Sequence, residues 1–122
     1  MRPKILLIED EDLIIEMLLE FFQITQQNYE VKVARSLSEA RSMLNEHDFS
    51  LCISDCGLTD GFACELFEEG LMDMPVIITT GYTDKTMLDR LTQKNTHQIQ
   101  ILPKPYHPQN LVQLINTLIK KI

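Results

Sequence analysis

The chain has 122 residues, 44% hydrophobic and 24% charged, with a net charge of −7. That length suits one domain with a real core, and the acidic balance argues against direct binding to nucleic acid or an anionic membrane. No apolar run approaches the ~20 residues that span a bilayer and no signal-peptide pattern precedes the first element, so a cytoplasmic protein with no membrane contact is expected.

KILLIE, at 4–9, reads as a buried strand, and a helix is predicted over 12–25. Four acids, Glu9, Asp10, Glu11 and Asp12, stand where strand meets helix. Like charges in a row repel, and solubility does not require them there. Glu11 and Asp12 complement the positive end of the helix; Glu9 and Asp10 need another reason. On a 100° wheel the apolar side chains of this helix run from Leu13 round to Leu19, an arc of roughly 240°. A helix on a sheet needs about half of that. The stripe Ile15, Leu19 and Phe22 is left over, either to meet the last helix or to form a partner surface.

YEVKVA, at 29–34, reads as the second strand. In SLSEARSMLNE, Ser36 and Glu39 form a capping-box pattern, and Leu37, Ala40, Met43 and Leu44 give the apolar face. SLCISD, at 50–55, is the third strand. A short helix over 61–69 stops at Gly70, a natural left-handed terminator. MPVIITT, at 74–80, is the fourth strand, with a helix over 84–94. HQIQIL, at 97–102, is the fifth. The last helix starts at Pro108, whose missing N–H costs nothing in a first turn. The cysteines Cys52, Cys56 and Cys64 are odd in number, and neither CISDC nor the scattered His47, His97 and His107 has metal-ligand spacing. Reduced thiols are expected.

Apolar strands alternating with helices predict an α/β domain over 1–122: a (βα)5 doubly wound parallel sheet covered on both faces. In such folds the site lies at the carboxyl ends of the strands. Glu9 and Asp10 end the first strand, Asp55 the third, and Thr79 and Thr80 the fourth, while Lys104 follows the fifth. Each is weak evidence alone; the joint placement is hard to obtain by accident. Crowded carboxylates raise one another's pKa unless a cation neutralises them. Oxygen donors at this density suit Mg²⁺, and an Asp beside it can act as a nucleophile toward phosphorus. Gly57 and Gly81 keep the backbone open nearby.

At these positions the chain resembles the receiver domains of response regulators in two-component signalling. The acid pair in LLIEDED, the Asp in CISDCGLTDG, the Thr in PVIITTGY and the Lys in LPKPY match the family signature in order, over essentially the whole chain. The resemblance implies a flavodoxin-like five-stranded sheet of order 2-1-3-4-5. It implies Asp55 as phospho-acceptor and Mg²⁺ held by Asp10, Asp55 and the Gly57 carbonyl, with Glu9 assisting through water. It also implies that Thr80 bonds the phosphoryl group, that Lys104 pairs with one of its oxygens, and that Pro105 fixes the next loop, plausibly through a cis bond. The donor would be a histidine kinase or a histidine phosphotransfer protein, docking on the first helix. Output would run through the fourth helix, fifth strand and last helix to a downstream protein or a second copy.

Three departures from the family pattern matter. The loop DCGLTDG is short, with Thr59 where Pro is common, and Glu9 replaces the commoner Asp. Ile101 occupies the position three before the Lys where an aromatic switch residue is usual. Either the read-out uses Tyr82 or Tyr106, or the domain is mainly a phosphoryl carrier. Gly57 and Tyr82 flank the phosphoryl group and would tune its lifetime, giving slow self-dephosphorylation. The expected function is therefore a phosphorylation switch and not a turnover enzyme. A haloacid-dehalogenase-type phosphatase would need a second acid two residues after the nucleophile, where this chain has Gly57, and no cap domain is visible. A flavodoxin-like electron carrier would need a Ser/Thr/Gly-rich loop after the first strand. A partner-binding receiver that is never phosphorylated would not need the intact acid pair, Asp, Thr and Lys. No output domain is visible.

Overall fold

The computed structural model describes residues 2–58, 60–81 and 99–120. In chain order the described elements are β1 (Lys4–Ile8), α1 (Asp12–Ile24), β2 (Glu30–Ala34), α2 (Leu37–Glu46), β3 (Leu51–Asp55), β4 (Gly57–Leu58), β5 (Gly61–Phe62), α3 (Cys64–Glu68), β6 (Val76–Thr80), β7 (Ile99–Pro103) and α4 (Pro108–Lys120). Five strands form a parallel sheet of order β2-β1-β3-β6-β7. Counted within the sheet, that is the expected order 2-1-3-4-5. The predicted helix over 84–94 lies outside the described residues.

Both faces of the sheet are covered because successive strand residues point to opposite sides. Ile5 and Leu7 of β1, Leu51 and Ile53 of β3 and Ile77 of β6 pack with Leu18 and Phe22 of α1 and Leu111, Val112 and Ile115 of α4. Leu6, Ile8, Cys52, Val76 and Ile78 point the other way, onto Leu37 and Ala40 of α2 and Leu66 of α3. The Tyr29 hydroxyl donates to Asn116 Oδ1 at 2.6 Å, tying the start of β2 to α4. Cys52 and Cys56 are buried and form no disulfide among the described residues, and burial pushes the Cys52 thiol up.

Helix ends follow local chemistry. Ser36 caps α2 by accepting from the Glu39 N–H at 3.1 Å, although the Glu39 carboxylate returns to the N–H of Arg35 and not to that of Ser36. Gly70, at φ +75°, ends α3: its N–H donates to Phe67 O and that of Leu71 to Leu66 O, the paired bonds of a Schellman terminator. One boundary needs correction. Residues 61–62 are not helical; they pair antiparallel with 57–58 in a two-residue hairpin, and α3 begins at Cys64. Gly61 adopts φ +147°, a conformation no helix contains.

Candidate functional site

The carboxyl edge of the sheet gathers the predicted set. The Glu9 N–H donates to Ala34 O at 2.9 Å, extending the β1–β2 ladder one residue beyond Ile8. That fixes Glu9 and buries it at 3% exposure. Its Oε2 folds back to accept from the N–H groups of Asp10 at 3.1 Å and Glu11 at 3.2 Å. Asp55 ends β3 opposite Thr79 of β6. Glu9, Asp10 and Asp55 each bring a carboxylate oxygen within 4.8 Å of the others. Across from them, Lys104 Nζ lies 3.1 Å from Asp55 Oδ1. Its own N–H donates to Thr80 O at 2.6 Å, which ties the loop after β7 to the end of β6. Thr80 is buried, and the Lys104–Pro105 bond is cis, as expected.

Burial pushes the Glu9 carboxyl up; the Glu11 N–H opposes this, the Asp55 charge adds to it, Lys104 opposes and Asp10 adds, leaving it at about 7. The Tyr106 hydroxyl is driven up to about 12 by burial and by the charges of Glu9 and Asp55. Three hard oxygen donors at this spacing are chemically matched to a small divalent cation such as Mg²⁺.

A pH effect follows, with a definite sign. Glu9 titrates near 4.5 in the unfolded chain and near 7 in the metal-free fold. Between those values the folded state holds the extra proton, so stability falls as pH rises through the window, by about 3 kcal/mol in all. A divalent cation favours the ionised acid and offsets the loss. The melting temperature in EDTA should drop from pH 5 to pH 8, and Mg²⁺ should raise it more at pH 8 than at pH 5.5. A rise with pH in EDTA would contradict this account.

Other predicted positions fall as follows. Gly57 opens β4 and is half-buried. Ile101, in register with Ile78, packs half-buried against the core beneath α2 and α3. Tyr82 lies outside the described residues. Of the two readings of the α1 stripe, contact with the last helix holds for Phe22, and the partner-surface reading needs correction. Ile15 and Phe22 are buried, at 3% and 4% exposure, and only Leu19 of the three is open, at 37%. The apolar arc is centred on the buried Ile15, Leu18 and Phe22, of which Leu18 and Phe22 pack with the sheet and α4; its surplus lies at the margins. The larger exposed margin is Leu13, Met17 and Ile24. Beside it the Phe21 ring meets His107 edge-on, centroids 6.2 Å apart. Asp60, whose carboxylate bonds the start of α2, carries no sequence signal, because no spacing rule announces a contact between elements so far apart. A cavity of about 650 Å³ opens at the opposite end of the sheet, near Phe49, Met74 and Pro75, away from these acids. No helix among the described residues is long and apolar enough to cross a membrane.

Comparison with known proteins agrees with this arrangement. A family model described as the response regulator receiver domain matches residues 5–116. A protein named probable transcriptional regulator ycf29, from Porphyra purpurea, is 31% identical in an alignment covering 98% of this chain and 57% of that protein. This chain thus spans little more than half the length of that relative. Among solved structures, a CheY-like receiver domain protein from Methanospirillum hungatei superposes with a TM-score of 0.82 at 23% identity, covering 99% of this chain and 96% of the other. The receiver domain of an HD domain-containing protein from Pseudomonas fluorescens gives 0.83 at 20%, covering 99% and 97%. A structure titled adenylate cyclase from Rhodopirellula baltica gives 0.83 at 22%, covering 98% and 89%. At these identities the structural likenesses speak to fold.

Proposed function

The chain belongs to the response regulator receiver family of two-component signalling, and from that premise we propose that it is a phosphorylation switch or relay with Asp55 as acceptor. The observation that carries the reading is the meeting of Glu9, Asp10 and Asp55 within 4.8 Å, with Lys104 3.1 Å from Asp55. A carboxylate oxygen of Asp55 attacks the phosphorus of a phosphohistidine on a histidine kinase or phosphotransfer protein. The P–N bond breaks, the imidazole leaves with a proton from solvent, and an acyl phosphate forms on Asp55. Lys104 faces the charge that accumulates there, and Thr80, at the end of β6, would bond the phosphoryl group. Glu9, Asp10, Asp55 and the Gly57 carbonyl would hold Mg²⁺, which when bound shares the negative charge of the phosphoryl oxygens.

Gly57 offers no side chain to orient an attacking water, which supports a long-lived acyl phosphate. The added charge biases the loops around the site, and with them the faces of β7 and α4 that a downstream protein or a second copy could read. We place this activity in the cytoplasm. The test is labelling by acetyl phosphate with and without Mg²⁺. One Mg²⁺-dependent phosphoryl group per chain supports the receiver; sustained release of phosphate from esters would point to a phosphatase instead.

The exposed margin of α1 is the surface we assign to the phosphodonor. Leu13 is 80% exposed and Ile24 69%, an apolar strip on a helix whose core face is already satisfied. Leu13→Glu should slow transfer from the partner phosphohistidine by roughly tenfold or more, about 1.4 kcal/mol. Acetyl phosphate, which needs no protein surface, should label the variant within about twofold of wild type. Equal loss from both donors would remove α1 from the docking surface.

A further inference from the structure

The loop that leaves the acceptor strand is anchored by a side chain that the proposed chemistry does not use. β4 and β5 pair as a hairpin with Gly57 opposite Phe62 and Leu58 opposite Gly61. Its base is closed by the Ala63 N–H donating to Cys56 O at 2.9 Å, and the Cys56 N–H donates to Thr79 O at 3.0 Å. Asp60 is at the far end. Its Oδ1 accepts from the Leu37 N–H at 2.9 Å and its Oδ2 from the Ser38 N–H at 3.2 Å. Those are first-turn donors of α2, which have no partner within the helix. Ser36 already takes the N–H of Glu39. One helix end is thus capped twice, once locally and once from the acceptor loop.

Two further observations show that the attachment is close. The N–H groups of Leu37 and Ser38 hold the Asp60 carboxyl below the usual carboxylate range; burial opposes the first and larger of these, and the Arg41 charge adds to them. At the neighbouring Gly61, a Cβ would stand 2.7 Å from Leu37 Cδ1 and would also collide with the Glu65 carboxylate. The loop therefore lies against the first side chain of α2.

We propose that Asp60 is a positioning residue for cation binding: it pins the acceptor loop to α2 so that Gly57, two residues after Asp55, is presented to the metal. This rests on the reading of Glu9, Asp10 and Asp55 as the metal-binding acids. Asp60 is exposed and stands outside that carboxylate group, so it acts through the loop. A backbone ligand on a pinned loop binds without the cost of ordering the loop; a ligand on a released loop bears that cost at every binding event. Partners that orient a ligand in this way typically change metal affinity by about 10–100-fold when removed.

The experiment is Mg²⁺ titration by calorimetry into wild type, Asp60→Ala, Asp60→Asn and Asp55→Asn. Melting curves in EDTA fix a temperature at which all are folded. Asp60→Ala should raise the Mg²⁺ Kd by roughly tenfold or more. Asp60→Asn keeps one acceptor oxygen without the charge and should fall between Asp60→Ala and wild type. If Asp60→Ala does not fold, Asp60→Asn decides, with an expected rise of about threefold. A lowered melting temperature with an unchanged Kd makes Asp60 a helix cap only and overturns the proposal. Asp55-dependent Mg²⁺ binding that is equal in the Asp60 variants and wild type overturns the proposal alone. Wild type that binds no Mg²⁺, or binds it equally after Asp55→Asn, overturns the metal reading and the proposal with it.

Discussion

Asp55→Asn should abolish phosphoryl acceptance without unfolding the protein. An amide oxygen is a poor nucleophile at neutral pH, and the change also removes one of the three carboxylates that meet within 4.8 Å. No neighbour can substitute for it. Glu9 is buried, with its Oε2 committed to the N–H groups of Asp10 and Glu11, and Asp10 sits on a different strand end. Acetyl phosphate should therefore leave the variant unlabelled by intact mass at Mg²⁺ concentrations that label wild type fully. The stability readout should move the other way. The Asp55 charge is one of the causes that raise the Glu9 carboxyl, so neutralising it relieves a repulsion in the metal-free fold. Lys104 loses a charged partner at 3.1 Å but keeps the nearby charges of Glu9 and Glu11. The melting temperature in EDTA at pH 8 should match or exceed that of wild type. Label at wild-type stoichiometry would move the acceptor to another residue.

What the sequence made legible follows from how each feature is encoded. Strands buried on both faces read as apolar runs, so β1, β3 and β6 were found within a residue or two, and Pro108 marked the start of α4. The site was legible for a topological reason: once the strands are parallel, their carboxyl ends share one edge, and Glu9, Asp10, Asp55 and Thr80 must meet there whatever the loops do. The hairpin of β4 and β5 was not, because two-residue strands carry no period and the apolar pattern near 61–69 imitates a helix. Helix α1 is hard to phase from sequence for a different reason. An apolar arc of roughly 240° has no visible centre, and only the packed structure reveals that Ile15 and Phe22 are buried, Phe22 in one cluster with Leu111 and Ile115 of α4, while Leu13 and Ile24 are exposed. The hierarchy among the acids was hidden too. Asp10 and Glu9 are adjacent in sequence, yet one backbone bond to Ala34 buries Glu9 and leaves Asp10 half-open.

Lys104→Met should pull metal binding and phosphoryl acceptance in opposite directions. The Lys104 side chain is 32% exposed and that of Asp55 13%, so their contact at 3.1 Å is partly shielded from water. Burial alone would lower the lysine, but the hydrogen bond and charge of Asp55, then the charges of Glu9 and Glu11, outweigh it and leave it raised. It is a fixed cation throughout the working pH range. A dication entering the acidic cluster meets that ammonium as a repulsion and competes with it for Asp55. Met keeps the length and removes the charge, so the Mg²⁺ Kd should fall severalfold or stay level. Acceptance should suffer. As the phosphoryl group joins Asp55, negative charge grows where the ammonium points, and removing one such preorganised partner typically costs about 10²–10³ in rate. At saturating Mg²⁺, the acetyl phosphate labelling rate should drop about a hundredfold while calorimetry reports undiminished Mg²⁺ binding. If labelling and Mg²⁺ affinity are both lost, the Lys104 side chain chiefly holds Asp55 in place through their 3.1 Å contact; if labelling is unaffected, its charge has no part in the transfer.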